Sequence, residues 1–214
     1  MAERGRTPAF KIFLENMAEV RRLLQIHGQL GGPGPGRRWG TEVLNKSAVV
    51  LLIACWEAYL EDVASLAFDA ALNCCQEPRR FPKEVIKRVG ESLRDAKDER
   101  VIWNLAGSGW KDVLSNYKTK TIEKFHNPNS NSVDDFFHRV LGMKGISKCW
   151  HWAGMSLDRA KAKLDVIVNV RGSIAHRVRH STPVRLATVK NYQGHVRRLV
   201  RKTDLEIRKS LKIT

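Results

Sequence analysis

The segment from Thr41 to about Gln76 constrains the fold more than any other part of the chain. Its apolar residues Val50, Ile53, Trp56, Leu60, Val63 and Ala67 recur three or four apart, the spacing of a helical face. Between Val49 and Trp56 apolar side chains cover most of the circumference. A helix that is apolar nearly all round has to be enclosed, so the sequence predicts a central helix with neighbours on several sides.

The rest of the chain supplies those neighbours. Thr7-Pro8 is an N-cap with proline at the first helical position, followed by Phe10, Phe13, Leu14, Met17, Val20 and Leu24 on one face of a helix ending near Gln29. GGPGPGRRWG (31–40) cannot continue it and reads as a mobile, basic loop. Pro78 and Pro82 precede a weaker helix, Lys83 to Lys97. Residues 98–155 read as an irregular helical insertion: pieces at Val101–Leu105 and Trp110–Phe125, the turn HNPNSN, and Ser132 to Asp135 as a capping box for a helix to Leu141. MKGISKCWHWAG has no period; Cys149, Trp150, His151 and Trp152 in it read as a partly buried cluster, with an RNA-stacking surface as the alternative.

Ser156 can cap a helix through Leu157, Ala160, Leu164 and Ile167. Thr182-Pro183 repeats the cap-and-proline device before a last helix, with Val189, Tyr192, Val196, Leu199 and Val200 on one side and Arg197, Arg198, Arg201 and Lys202 on the other. No strand-like alternation occurs. The expectation is all-α, an antiparallel helical bundle in a single domain over 1–214, with Trp56 and Tyr59 in its core.

Charge then narrows the partners. The chain carries 38 Lys and Arg against 22 Asp and Glu, a net +16 and a pI near 10.1. From Ser156 onward fifteen Lys and Arg face four Asp and Glu, so eleven of the sixteen surplus charges lie in the last 59 residues. A surplus of this size repels itself in a compact fold and suits a polyanion, RNA or DNA ahead of an anionic membrane; a solvated basic surface is the plain alternative. Four cysteines without a C-x-x-C fit reduced thiols in a cytoplasm. The start MAERGRTPAF has no apolar signal region, and the longest apolar run, Ala48 to Trp56, is about half the ~20 residues of a membrane span, so a soluble cytoplasmic protein with no membrane partner is expected.

The stretch VNVRGSIAHRVRH (168–180) holds the candidate chemistry. Leu164, Ile167, Arg171 and Ile174 follow at helical spacing, which places the Arg171 guanidinium on the inward face, where it needs an anion or a rim of water. Gly172 weakens the helix and could let the next turn bend. At ~100° per residue His176 lies about 140° around from Arg171, so the two meet one ligand only if the helix distorts or a second subunit contributes. His176 and His180 are four apart, but no carboxylate or third His is near them in sequence, and no metal or other cofactor is expected. Arg177 and Arg179 can contact an RNA backbone or form a solvated helix end. Arg197, Arg198, Arg201 and Lys202 are the candidate sequence-independent phosphate track.

R-x-x-x-x-H from Arg171 to His176, late in an all-α bundle, resembles the HEPN superfamily, and Trp56-Glu-Ala-Tyr-Leu-Glu-Asp62 looks like the W-E-x-Y-x-E-D signature of its RiboL-PSP-like branch. The resemblance spans roughly residues 8–210. It implies a bundle that dimerises so that two R-x4-H motifs face each other in a shared cleft, typically as a metal-independent endoribonuclease. Arg171 and His176 are the matching catalytic positions, and Glu57 and Glu61, one turn apart, are candidates to hold either of them in place. Gly172 stands where many members carry Asn, Asp or His. Some such toxins are controlled by nucleotide transfer onto a Tyr two residues after the motif His; Val178 stands there instead.

The chemistry is consistent on its own terms. Cleaving RNA needs a base for the ribose 2′-OH, a cation on the phosphate oxygens and an acid for the leaving 5′ oxygen. A His serves as base or acid near neutral pH, and a forked guanidinium suits the phosphate. One His cannot do both in one step, whereas a homodimer supplies two; the products would be a 2′,3′-cyclic phosphate and a 5′-hydroxyl. The sequence therefore predicts a homodimeric endoribonuclease acting on RNA, plausibly a toxin or antiviral component with an antitoxin or regulatory partner. A non-catalytic RNA-binding or adaptor domain is the alternative, favoured by Gly172.

Overall fold

Helix α1 (Pro8–Leu30) starts where the Thr7-Pro8 pair places it. The Thr7 hydroxyl accepts from the Phe10 amide at 3.1 Å, and Pro8 has no amide to satisfy. The computed structural model describes residues 5–30, 41–177 and 183–210; the expected loop 31–40 lies outside the described residues. Among them the chain forms seven α-helices and no strand: α1, α2 (Glu42–Cys74), α3 (Lys83–Arg94), α4 (Gly109–Glu123), α5 (Ser130–Leu141), α6 (Leu157–Arg177) and α7 (Leu186–Ser210), with short 3-10 turns at Pro78–Arg80, Glu99–Leu105 and Ile146–Cys149.

The central position of α2 follows from its sequence. Val49, Leu52, Ile53, Trp56, Leu60 and Val63 have no exposed surface, and α1, α4, α5, α6 and α7 all pack on it. Trp56 and Tyr59 stack with ring centroids 6.1 Å apart, deep in the core. Residues 98–155 are more regular than their sequence suggests, and they place Trp110, Leu114, Phe125, Val133, Phe137 and Trp150 in the same core. The Trp150 indole donates to Thr203 Oγ1 at 2.9 Å, which pins the 3-10 turn before it to α7.

Two helix starts and one helix end differ in detail. Asn129, not Ser132, caps α5: in extended backbone its side chain accepts from the Asn131 and Ser132 amides, so the helix begins earlier and Ser132 sits in its first turn. The last helix begins at Leu186 rather than Pro183. Val184 is buried and its carbonyl accepts from Asn45 Nδ2 at 2.8 Å, which commits that backbone to α2; Thr182 lies outside the described residues. Helix α3 stops at Arg94, short of Lys97. Ser156 caps α6 as expected, accepting from the Arg159 amide at 3.4 Å.

The chain closes on itself through a buried hydrogen bond from Thr7 Oγ1 to Asp204, joining the start of α1 to the end of α7. Burial raises the Asp204 carboxyl above its usual range, against Thr7, Arg208 and Arg6, which lower it.

Candidate functional site

Helix α6 runs unbroken from Leu157 to Arg177, so Gly172 does not bend it and the distortion that would bring Arg171 and His176 together in one subunit is absent. A Cβ at position 172 would meet nothing within 4 Å. Ala160, Leu164 and Ile167 are fully buried, and Arg171 continues their line at the rim. There its Nη2 lies 3.9 Å from Glu57 Oε2, with the two side chains 33% and 17% exposed. This is an ion pair too long for a hydrogen bond. The guanidinium Nε is buried without a hydrogen-bond partner among the described residues.

The carboxylates beneath it are crowded. Burial pushes Glu57 above the usual carboxylate range, and the charges of Arg171 and His126 only partly offset it. Burial likewise raises Glu61, helped by the charges of Glu57 and Asp62 and opposed by His126. Of the two candidate supports, Glu57 meets Arg171; Glu61, one turn on, forms no ion pair with it.

His126 is the residue that sequence reasoning missed. It belongs to the turn HNPNSN, 45 positions before Arg171, and no spacing links the two. The fold does so through two clamps. The Trp56 indole donates to the Pro128 carbonyl at 3.1 Å. On the other side the Ser130 amide and hydroxyl donate to Asp165 of α6 at 2.7 and 2.9 Å. Asn127 turns the chain at φ 58°, a left-handed conformation that Asn tolerates better than most residues. The turn is thus held between α2 and α6, with the exposed His126 close enough for its charge to act on Glu57 and Glu61. A cleft of about 500 Å³ opens from it toward Lys124, Lys120, Tyr117, Arg88 and Arg139.

His176 is exposed, and in the continuous helix it stands about 140° around from Arg171. Arg177 is the last residue of α6; Arg179 and His180 lie outside the described residues.

The outer face of α7 has a different character. Arg197, Arg198 and Arg201 are exposed and Lys202 is partly so. Trp152, in the aperiodic stretch, is half-buried, with the Arg198 guanidinium 5.5 Å from its ring centre and the His195 ring 5.5 Å away. His195 is buried, and its Nε2–H donates to the Ala160 carbonyl at 3.0 Å. Burial, with the charges of Lys163 and Arg198, drives its pKa down to about 4 against that hydrogen bond, so the ring is neutral near pH 7.

A model of the RiboL-PSP-HEPN family matches residues 15–209, nearly the whole bundle including α2, the turn at His126 and both late helices. The chain belongs to the RiboL-PSP-HEPN family. Membership agrees with the all-α architecture. No curated protein and no solved structure matches the chain. No described helix is long and apolar enough to cross a membrane.

Proposed function

We propose that the protein is a metal-independent endoribonuclease of HEPN type, in which Arg171 binds the scissile phosphate and His176 transfers protons. The observation that carries this reading is the state of Arg171. It is a guanidinium set into the rim of the core, balanced by Glu57 at 3.9 Å, with a buried Nε that makes no hydrogen bond. Such a group is oriented and still has donors for two phosphate oxygens. The offset of His176 around α6 makes the proposed site a shared one: in a homodimer two histidines face one phosphate, one taking the 2′-OH proton and the other protonating the leaving 5′ oxygen. Control by an antitoxin or another regulatory protein, in a toxin or antiviral role, fits this activity.

The competing reading, a non-catalytic RNA-binding or adaptor domain, rests on the same ion pair. If Arg171 serves only to neutralise Glu57, removing it strands a half-buried carboxylate, at less than the roughly 3–5 kcal/mol that breaking a fully buried pair costs. Incubating the protein with RNA in EDTA separates the two. Cleavage to cyclic-phosphate ends is expected, falling by about 10²–10⁴ in His176→Ala with the melting temperature unchanged, and Arg171→Lys stays inactive because an ammonium lacks the fork. A parent protein that binds RNA but leaves it intact, beside an Arg171→Ala protein that unfolds, leaves the adaptor reading; a His176→Ala protein that cleaves like the parent overturns the role given to His176.

A further inference from the structure

The cations around Trp152 are not neutralised. Lys163, Lys190, Arg198, Arg201 and Lys202 have no carboxylate within ion-pair distance among the described residues, and unlike the unpaired Lys120 and Lys124 they surround a partly exposed indole. Two clefts meet at the indole. One, of about 440 Å³, lies between Trp152, Ala153, Arg198, Arg201 and Leu205. The other, of about 210 Å³, runs from Trp152 past His195 to Lys163 and Lys190. The first is floored by apolar surface and edged by cations, and Leu205 beside it is 45% exposed. The neutral His195 supports the inner side of the indole.

We infer that Trp152 and the cations around it form a base-stacking site for a single-stranded segment of the RNA substrate, distinct from the site at Arg171. A flat aromatic ring beside an apolar hollow suits a nucleobase, and cations on both sides suit the phosphates that precede and follow it. An acidic peptide would use the cations but leave the indole and the apolar floor without a role. Lys163 is eight residues before Arg171 on α6, about 12 Å along the axis, so a strand anchored at Trp152 continues along the same helix toward the scissile position. The inference rests on the reading of the protein as an RNA enzyme, but concerns affinity alone.

The test is binding of fluorescein-labelled oligouridylate, followed by anisotropy in a His176→Ala background so that cleavage plays no part. Trp152→Ala should weaken binding by roughly 10-fold to 100-fold without changing the salt dependence, and Trp152→Phe should restore most of the loss. An abasic strand of equal length should bind the parent as weakly as oligouridylate binds Trp152→Ala. Equal affinity of a folded Trp152→Ala protein and its parent overturns the site, as does Trp152→Phe binding no better than Trp152→Ala, or poly-glutamate matching oligouridylate in competition. A Trp152 effect on binding in a protein that never cleaves RNA would sink the nuclease and leave this site standing.

Discussion

The rim of α6 and the outer face of α7 are both basic, but they handle charge in opposite ways. At Arg171 a cation pairs with Glu57 in partial burial, with Glu61 one turn further along α2, and desolvation raises both acids. On the outer face of α7, Arg197, Arg198 and Arg201 are exposed, with an indole beside Arg198 and no ion pair among the described residues. The first arrangement confines one guanidinium beside a carboxylate, the placement that the proposed reaction would use. The second gives diffuse attraction with little positional demand, as grip on a polymer requires. Eleven surplus charges in the last 59 residues therefore do not identify a reactive centre.

Breaking the α7 side should have the largest effect. Replacing Arg197, Arg198 and Arg201 together by Glu is expected to weaken RNA binding on the order of 100-fold and to lower the log–log salt slope by about 2, at roughly 0.7 per phosphate contact on a single strand. The cleavage rate at saturating RNA should hold. An unchanged slope would move the phosphate track elsewhere, with the cleft at Lys120 and Lys124 next in line.

The α6 side is sharpened by mixing subunits. If each cut needs a histidine from both protomers, an equal mixture of parent and His176→Ala should retain roughly a quarter of the activity, the fraction of all-parent dimers, rather than half. A value of half, or a mass that stays monomeric at micromolar concentration while activity persists, ends the shared-cleft account and turns attention to His126 as the proton-transfer group within one chain.

The smallest effect concerns the support beneath Trp152. The pKa of His195 is depressed from 6.5 to about 4 in the fold. Between those values the unfolded chain binds the extra proton, so stability should climb as pH rises from about 4 to 6.5 and level off above. Melting curves should show this as a shift of several degrees. His195→Gln, whose amide can still donate to the Ala160 carbonyl, should flatten it.

Much of the bundle was legible because helical spacing depends on near neighbours in sequence. Trp56 and Tyr59 shared a face with aliphatic residues, and Arg171 fell in register with Leu164 and Ile167, so the core and the inward guanidinium could be placed from one segment at a time. The resemblance offered Glu57 and Glu61 alike, and nothing in either segment selects between them; the fold does, setting Glu57 against Arg171. His126 was out of reach for a different reason. Its location depends on an indole bonding to the Pro128 carbonyl and on Asp165 holding Ser130, contacts between segments 72 and 35 residues apart. The start of α7 failed for the same cause, a local cap signal overruled by the buried Val184 and the Asn45 amide.

The clasp between Thr7 and Asp204 separates connectivity from packing. Gly5, at φ 96°, lies against the Arg208 guanidinium, so the start of the first described helix and the end of the last lie side by side. A permuted gene that joins these ends through a short linker and opens between Leu30 and Thr41 would preserve every helix pairing while making α2 the first helix translated. The assembly order during synthesis would then start from the element the others enclose, and the product would still be the same bundle.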